Sequence, residues 1–263
     1  MKQITSRDNP LYKELKQLAA SSQARRRAGR TLLEGIHLCE VYLRNAGKPV
    51  VAVASESTLA HPEAAPLIAE CEATNARCVT LPDALFGALS QVENGIGLIF
   101  VIDTPRETAP GVLNESTVLL DNLQDPGNLG SILRSAAAAG IRRVCCGKGT
   151  VFAWSPKVLR SAMGAHFLLH IHENLDLREM VREAKVPVLA TSSHADASIY
   201  DADLAQPVAW LFGNEGQGVS PGLLELATMK VAIPQAGDIE SLNVAASAAV
   251  CFFEQSRQLL QKA

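Results

Sequence analysis

No apolar run in the sequence reaches the roughly 18 to 20 residues needed to cross a bilayer. The start, Met1-Lys2-Gln3-Ile4-Thr5-Ser6-Arg7-Asp8, lacks the apolar core of a secretory leader. Both absences point to the cytoplasm. Six cysteines (Cys39, Cys71, Cys78, Cys145, Cys146, Cys251) form no C-x-x-C pair and have no histidine nearby at zinc spacing. They read as small core residues, and no metal is expected. There is no repeat at solenoid spacing and no low-complexity stretch. The fingerprint G-x-G-x-x-G after an early strand is also missing, which counts against a dehydrogenase built on a dinucleotide fold.

Strong net charge is lacking too: the chain carries only −3, which by itself argues against a polyanionic partner. That average hides an asymmetry. Residues 1–30 contain Lys2, Arg7, Lys13, Lys16, Arg25, Arg26, Arg27 and Arg30 against Asp8 and Glu14, so this segment holds +6 and the remainder −9. Such a segment either grips phosphates or is a solvated helix face.

With 263 residues, of which 48% are hydrophobic, the chain can bury one large core or two smaller ones. Leu11, Leu15 and Leu18 recur at helical spacing, and a second helix is expected across Leu32 to Leu43. The apolar runs Val50–Val53, Cys78–Leu81 and Gly97–Ile102 read as strands of a small α/β domain. Residues 103–116 combine two prolines and a glycine with polar residues and read as a linker, with a boundary near Thr108. Two domains are therefore expected, 1–107 and 108–263. Beyond the boundary, Thr117–Leu120, Val144–Cys146, Val186–Ala190 and Val208–Phe212 are short continuous apolar runs with helices between them. That pattern suits a parallel sheet covered on both faces. A last helix from about Asn243 to Gln261 begins with Ala245, Ala246, Ala248 and Ala249, small enough for close packing inside the domain or against a second subunit.

Three strand-to-helix junctions in this second half carry polar or glycine-rich loops. The first, Asp121-Asn122-Leu123-Gln124-Asp125-Pro126-Gly127-Asn128, leads into a helix expected to begin near Asn128, which could serve as its N-cap. Arg134 follows in an alanine-rich, largely apolar stretch, where an unpaired buried charge would be costly. The second, Gly213-Asn214-Glu215-Gly216-Gln217-Gly218, can bring main chain close to a ligand, or can simply be a turn. In the third, Ile233-Pro234-Gln235-Ala236-Gly237-Asp238-Ile239-Glu240-Ser241-Leu242-Asn243, either Ser241 or Asn243 can cap the final helix. Open α/β sheets gather such junctions at one edge.

Taken in order, N-x-G-x-x-x-R-S-A, G-N-E-G-x-G and I-P-x-x-G-x-x-E-S-L-N-V resemble the motifs of the SpoU/TrmH-type RNA 2′-O-ribose methyltransferases of the SPOUT superfamily, across roughly residues 117 to 262. The basic N-terminal region, with Ile4–Pro10 and Arg30–Gly35, resembles the ribosomal-protein-like α/β domain with which many members bind substrate RNA. The resemblance implies a parallel-sheet domain tied in a trefoil knot, an obligate homodimer with sites at the subunit interface, and S-adenosyl-L-methionine as cofactor. It implies that the backbone around Gly213, Ile233 and Leu242 holds that cofactor. Arg134 matches the family's catalytic arginine, and Asn128, Glu215, Ser241 and Asn243 match its polar site residues. Arg7, Lys13, Lys16, Arg25, Arg26, Arg27 and Arg30 become the expected RNA contacts. Two positions depart from the pattern: Gln235 stands where methionine is usual, and Glu93-Asn94-Gly95-Ile96-Gly97 replaces the usual Pro-Gln-Gly.

Large-subunit ribosomal RNA is the expected substrate, with transfer RNA methylation and a catalytically silent RNA-binding protein as alternatives. For Arg134 two roles stand open, as the base that takes the ribose proton or as a cation that stabilises the developing alkoxide or pins a phosphate.

Overall fold

The computed structural model describes residues 1–93, 95–105 and 110–262. The expected boundary at Thr108 and the Asn94 position lie outside the described residues. The chain forms two compact units, Met1–Arg106 with Trp154–Phe167, and Glu107–Ala153 with Leu168–Ala263.

The first unit begins with β1 (Lys2–Gln3), α1 (Pro10–Ala20), α2 (Ser22–Ala28) and β2 (Arg30–Glu34). It continues through α3 (Ile36–Ala46), β3 (Val51–Ser55), α4 (Ala64–Ala73), β4 (Arg77–Leu81), α5 (Asp83–Gly87) and β5 (Leu98–Asp103). Its strands form a mixed sheet in the order β1-β4-β3-β5-β2, with β5 antiparallel to both β2 and β3. The period of two along each strand divides the core. Val51, Val53, Val79, Leu81, Ile99 and Val101 meet Leu11, Leu15 and Leu18 of α1. On α3, Tyr42 sets its ring edge-on to Phe100 of β5, with centroids 6.5 Å apart. The helix expected across Leu32 to Leu43 is corrected here, since Leu32 and Leu33 lie in β2, paired with Val101 and Phe100, and the helix starts at Ile36.

The second unit opens with β6 (Thr117–Leu120), α6 (Pro126–Ala138) and β7 (Arg143–Gly147). The chain then supplies α7 (Pro156–Ala162) to the first unit. There the Thr31 hydroxyl donates to the carbonyl of Trp154 at 2.6 Å, and Phe167 lies edge-on to Tyr42. Gly164 (φ +89°) sits so close to Val41 that a Cβ would come within 2.6 Å of its Cγ1. Nothing in the local pattern of 154–167 announces this placement.

The second unit resumes with β8 (His170–Leu175), α8 (Leu177–Arg182), β9 (Val188–Thr191), β10 (Ala197–Ser198) and β11 (Ala209–Phe212). It ends with α9 (Pro221–Leu224), β12 (Met229–Ala232) and α10 (Val244–Lys262). Seven strands in the order β10-β12-β9-β11-β6-β7-β8 are parallel throughout. β11 enters the sheet between β9 and β6, so β6 is the point from which the order runs both ways. One face buries Leu119, Leu211, Ala190 and Cys145 against Leu177, Val181 and Leu223. On α10, Phe252 meets the Phe212 ring edge-on at 5.6 Å, and Gln255 accepts from the Trp210 indole N–H at 2.8 Å. The Gln255 amide also donates to Ser116 Oγ and to the Gln206 carbonyl, so this buried group is fully used.

Candidate active site

Four adjacent strands, β12, β9, β11 and β6, point the same way and release their loops at one edge of the sheet. The three motif loops leave β6, β11 and β12, and the loop Ser192–His194 leaves β9. In an open parallel sheet this is where ligands bind.

The loop after β11 is closed by a reciprocal pair of main-chain bonds between Asn214 and Gly218, at 3.0 and 2.8 Å. The Asn214 side chain accepts from Gly216 and Gln217 N–H and donates to the Asn122 carbonyl at 3.0 Å. Gly213 is required by close approach, because a Cβ there would lie 2.0 Å from the backbone of Gly218 and Val219. The loop thus holds Glu215 toward the first junction, where its carboxylate accepts from Gln124 N–H (3.1 Å), Asp125 N–H (2.8 Å) and Asn128 Nδ2 (3.2 Å). Partial burial alone would raise its pKa; the Asp125 and Gln124 N–H groups outweigh that and hold it below the usual carboxylate range. Glu215 is therefore a fixed anion that orients Asn128 and is ill suited to carry protons.

The Asn128 reading as a helix cap is overturned. Asp125 caps α6, accepting from Asn128 N–H at 2.8 Å, which leaves the Asn128 side chain to the site. Its oxygen accepts from Asn243 Nδ2 at 2.9 Å. Asn243 caps α10 as well, accepting from Ala245 and Ala246 N–H. Glu215, Asn128 and Asn243 therefore form one chain of hydrogen bonds across all three junctions.

Beside it lies a cavity of about 560 Å³, within the usual range for a small-molecule site. Gly213, Ile233 and Leu242 line it, as do Glu215 and Ser241. Arg134 does not. Its side chain is exposed, with no hydrogen bond or ion pair among the described residues, so the expected cost of a buried charge is corrected: this stretch of α6 turns Arg134 toward water. Six residues on from Asn128, it projects about 120° away around the helix.

The loop of Thr191, Ser192, Ser193 and His194 also lines the cavity, and the sequence reading missed it. Its signal was the one used for the other junctions, a buried apolar strand running into consecutive polar residues.

A family model described as the SpoU rRNA Methylase family matches residues 115–253. The chain belongs to this family. A relative named as an uncharacterized tRNA/rRNA methyltransferase of Synechocystis is 35% identical over 97% of this chain and 93% of its own length. The 23S rRNA (guanosine(2553)-2′-O)-methyltransferase RlmP of Bacillus subtilis is 34% identical over 96% and 98%. The AdoMet-bound rRNA methyltransferase of Sinorhizobium meliloti superposes with a TM-score of 0.85 at 28% identity, covering 98% of each chain.

Binding to a nucleic acid rests on phosphate contacts, and the basic residues of the first unit are not equivalent in that respect. Arg7, Lys13, Lys16, Arg26 and Arg27 are exposed, with Lys13 paired to Asp8 at 2.9 Å. Arg25 corrects the sequence reading. It is 7% exposed, and its Nη1 donates to the carbonyls of Leu18 and Ala19 at 2.6 and 3.3 Å, closing the end of α1. Burial lowers its pKa. Arg30 is engaged by Asp103 and Glu14, both at 3.0 Å, and the Asp103 hydrogen bond leads in raising its pKa.

Proposed function

We propose that this protein methylates a ribose 2′-hydroxyl of large-subunit ribosomal RNA, using S-adenosyl-L-methionine. The observation that carries the reading is that the cavity of Gly213, Ile233 and Leu242 and the Glu215–Asn128–Asn243 chain share one edge of a parallel sheet in a SpoU-family chain. The cofactor fits the residues present: Val219, Leu224, Val231, Ile233 and Leu242 offer apolar walls for a purine, and strand-end main chain offers polar partners. When bound there it supplies an electrophilic methyl group. The protein's part is to place the ribose oxygen in line and to stabilise the charge that develops on it. Asn128 and Asn243, locked to each other and to Glu215, orient the ribose, and Ser241, which lines the cavity, shares that task. RlmP is named for 23S ribosomal RNA, and ribosomal RNA is preferred to transfer RNA on that basis.

Arg134 enters this scheme as a cation from a second copy of the chain, because its own cavity is built without it. The homodimer is supported by exposed apolar residues on α10, Phe253 and Leu260, 52% and 79% accessible. A trefoil knot is proposed as well, supported by the course of α10: after β12 it returns across β9 to cover β11. The RNA-gripping domain expected over 1–107 corresponds in this scheme to the first unit, with its later segment Trp154–Phe167. Among the described residues no helix is long and apolar enough to cross a membrane, and a ribosomal substrate supports a cytoplasmic place of work.

Mapping ribose methylation in total RNA from cells with and without the protein tests the proposal. One large-subunit nucleotide should lose its mark; unchanged ribosomal RNA would leave the silent RNA-binding reading in its place, and a lost mark on transfer RNA would correct the substrate. For the first unit, Lys16→Ala, Arg26→Ala and Arg27→Ala together should weaken RNA binding and flatten the salt dependence, by about 0.7 to 0.9 in log–log slope per phosphate contact removed. An unchanged slope in a filter-binding titration would make these residues a solvated face only.

A further inference from the structure

Gln235 is the third residue beyond the end of β12, after Ile233 and Pro234, and it lines the same cavity as Ile233 and Leu242. Its carboxamide oxygen is buried and has no hydrogen-bond partner among the described residues. Several other polar groups around the cavity are already paired. Asn214 uses both ends of its amide, Glu215 accepts three bonds, and Ser193 and His194 pair with each other at 3.2 Å.

A buried acceptor without a donor is unfavourable, whereas an apolar side chain of the same length would fill the space at no such cost. Among the described residues nothing supplies that donor, and the cavity that Gln235 lines offers a place for one on a bound ligand. A small turn of the amide, with the oxygen leaving the wall for the cavity, would meet it there.

We propose that Gln235 is a cofactor-selecting residue whose carboxamide oxygen accepts a hydrogen bond from the 6-amino group of the adenine ring. This rests on the cavity being the S-adenosyl-L-methionine site. The choice of the amino group follows from the surroundings. Gln235 lines the cavity together with Val231, Ile233 and Leu242, its neighbours along the chain, and these apolar side chains suit a flat purine with one polar edge and suit the charged amino-acid end poorly. A single acceptor at that edge reads the base, because a purine lacking the amine leaves it unpaired again.

The test is calorimetric and needs no turnover. Binding of S-adenosylhomocysteine, and of its analogue with hydrogen in place of the 6-amino group, is measured for the wild type, Gln235→Met and Gln235→Glu, each first shown to be folded by circular dichroism. The wild type should prefer the amino ligand, and Gln235→Met should lose about fivefold to tenfold of that preference. Gln235→Glu, which keeps an acceptor at the same reach, should restore it. If Gln235→Met weakens both ligands equally, or neither, the contact to the amine is overturned. A wild type that binds neither ligand would overturn the cofactor site itself, and this inference with it.

Discussion

Heterodimers of Arg134→Ala and Glu215→Ala, isolated through two different tags, should recover about half of wild-type turnover although neither homodimer is active, because one of the two sites regains a full set of groups. The expectation follows from the placement of the two residues. Glu215 lines the cavity and holds Asn128, while Arg134 is absent from the cavity wall and stands exposed on α6, with no partner among the described residues. If each site takes Arg134 from the opposite chain, one site in the heterodimer has both groups and the other has neither. If each site uses its own Arg134, every site carries one lesion and no activity returns. Each homodimer should fall by about 100-fold or more in turnover, as when a group that stabilises transition-state charge is removed. Arg134→Ala should meanwhile bind S-adenosylhomocysteine like the wild type. Failure to obtain any doubly tagged dimer would remove the homodimer from the scheme.

Phe252→Ala should cost the second unit about 3 to 5 kcal/mol of stability. Phe252, on the inner face of α10, is fully buried and meets Phe212 of β11 edge-on. Truncation opens a void between a helix and a strand that other bonds still hold in place, among them the Trp210–Gln255 bond at 2.8 Å, so the space cannot close. Urea denaturation followed by tryptophan fluorescence reads the change, with Phe252→Leu expected to lose much less. A cost below about 1 kcal/mol for the alanine variant would mean that α10 does not hold β11.

The sequence disclosed most about the second unit, because its strands are continuous apolar runs buried on both faces. Thr117–Leu120 is β6 to the residue, and Ala209–Phe212 falls inside the run read as a strand. β8 was missed because its residues, His-Ile-His-Glu-Asn-Leu, form the edge of the sheet and carry no apolar run. Leu32 and Leu33 were misassigned for another reason: their extended form is set by pairing with Phe100 and Val101, almost seventy residues away. At the site, the motif order pointed to the polar residues, but local patterns could not choose between Asp125 and Asn128 as the cap. Only the hydrogen bonds to Glu215 and Asn243 decide that. Arg25 was misread because a run of three arginines looks like surface, and a carbonyl pair at the end of α1 leaves no mark in the sequence. Its neighbours Arg26 and Arg27 are exposed, as charge alone suggests.

The segment Trp154–Phe167 sets a timetable for biosynthesis. Residues up to Asp103 complete the sheet of the first unit, yet Thr31 and Tyr42 find Trp154 and Phe167 only when a much later stretch has emerged. At ~5 to 20 residues per second, the roughly 50 to 60 intervening residues impose a wait of about 3 to 12 seconds. During that interval the nascent unit shows an unfinished apolar surface at β2 and α3.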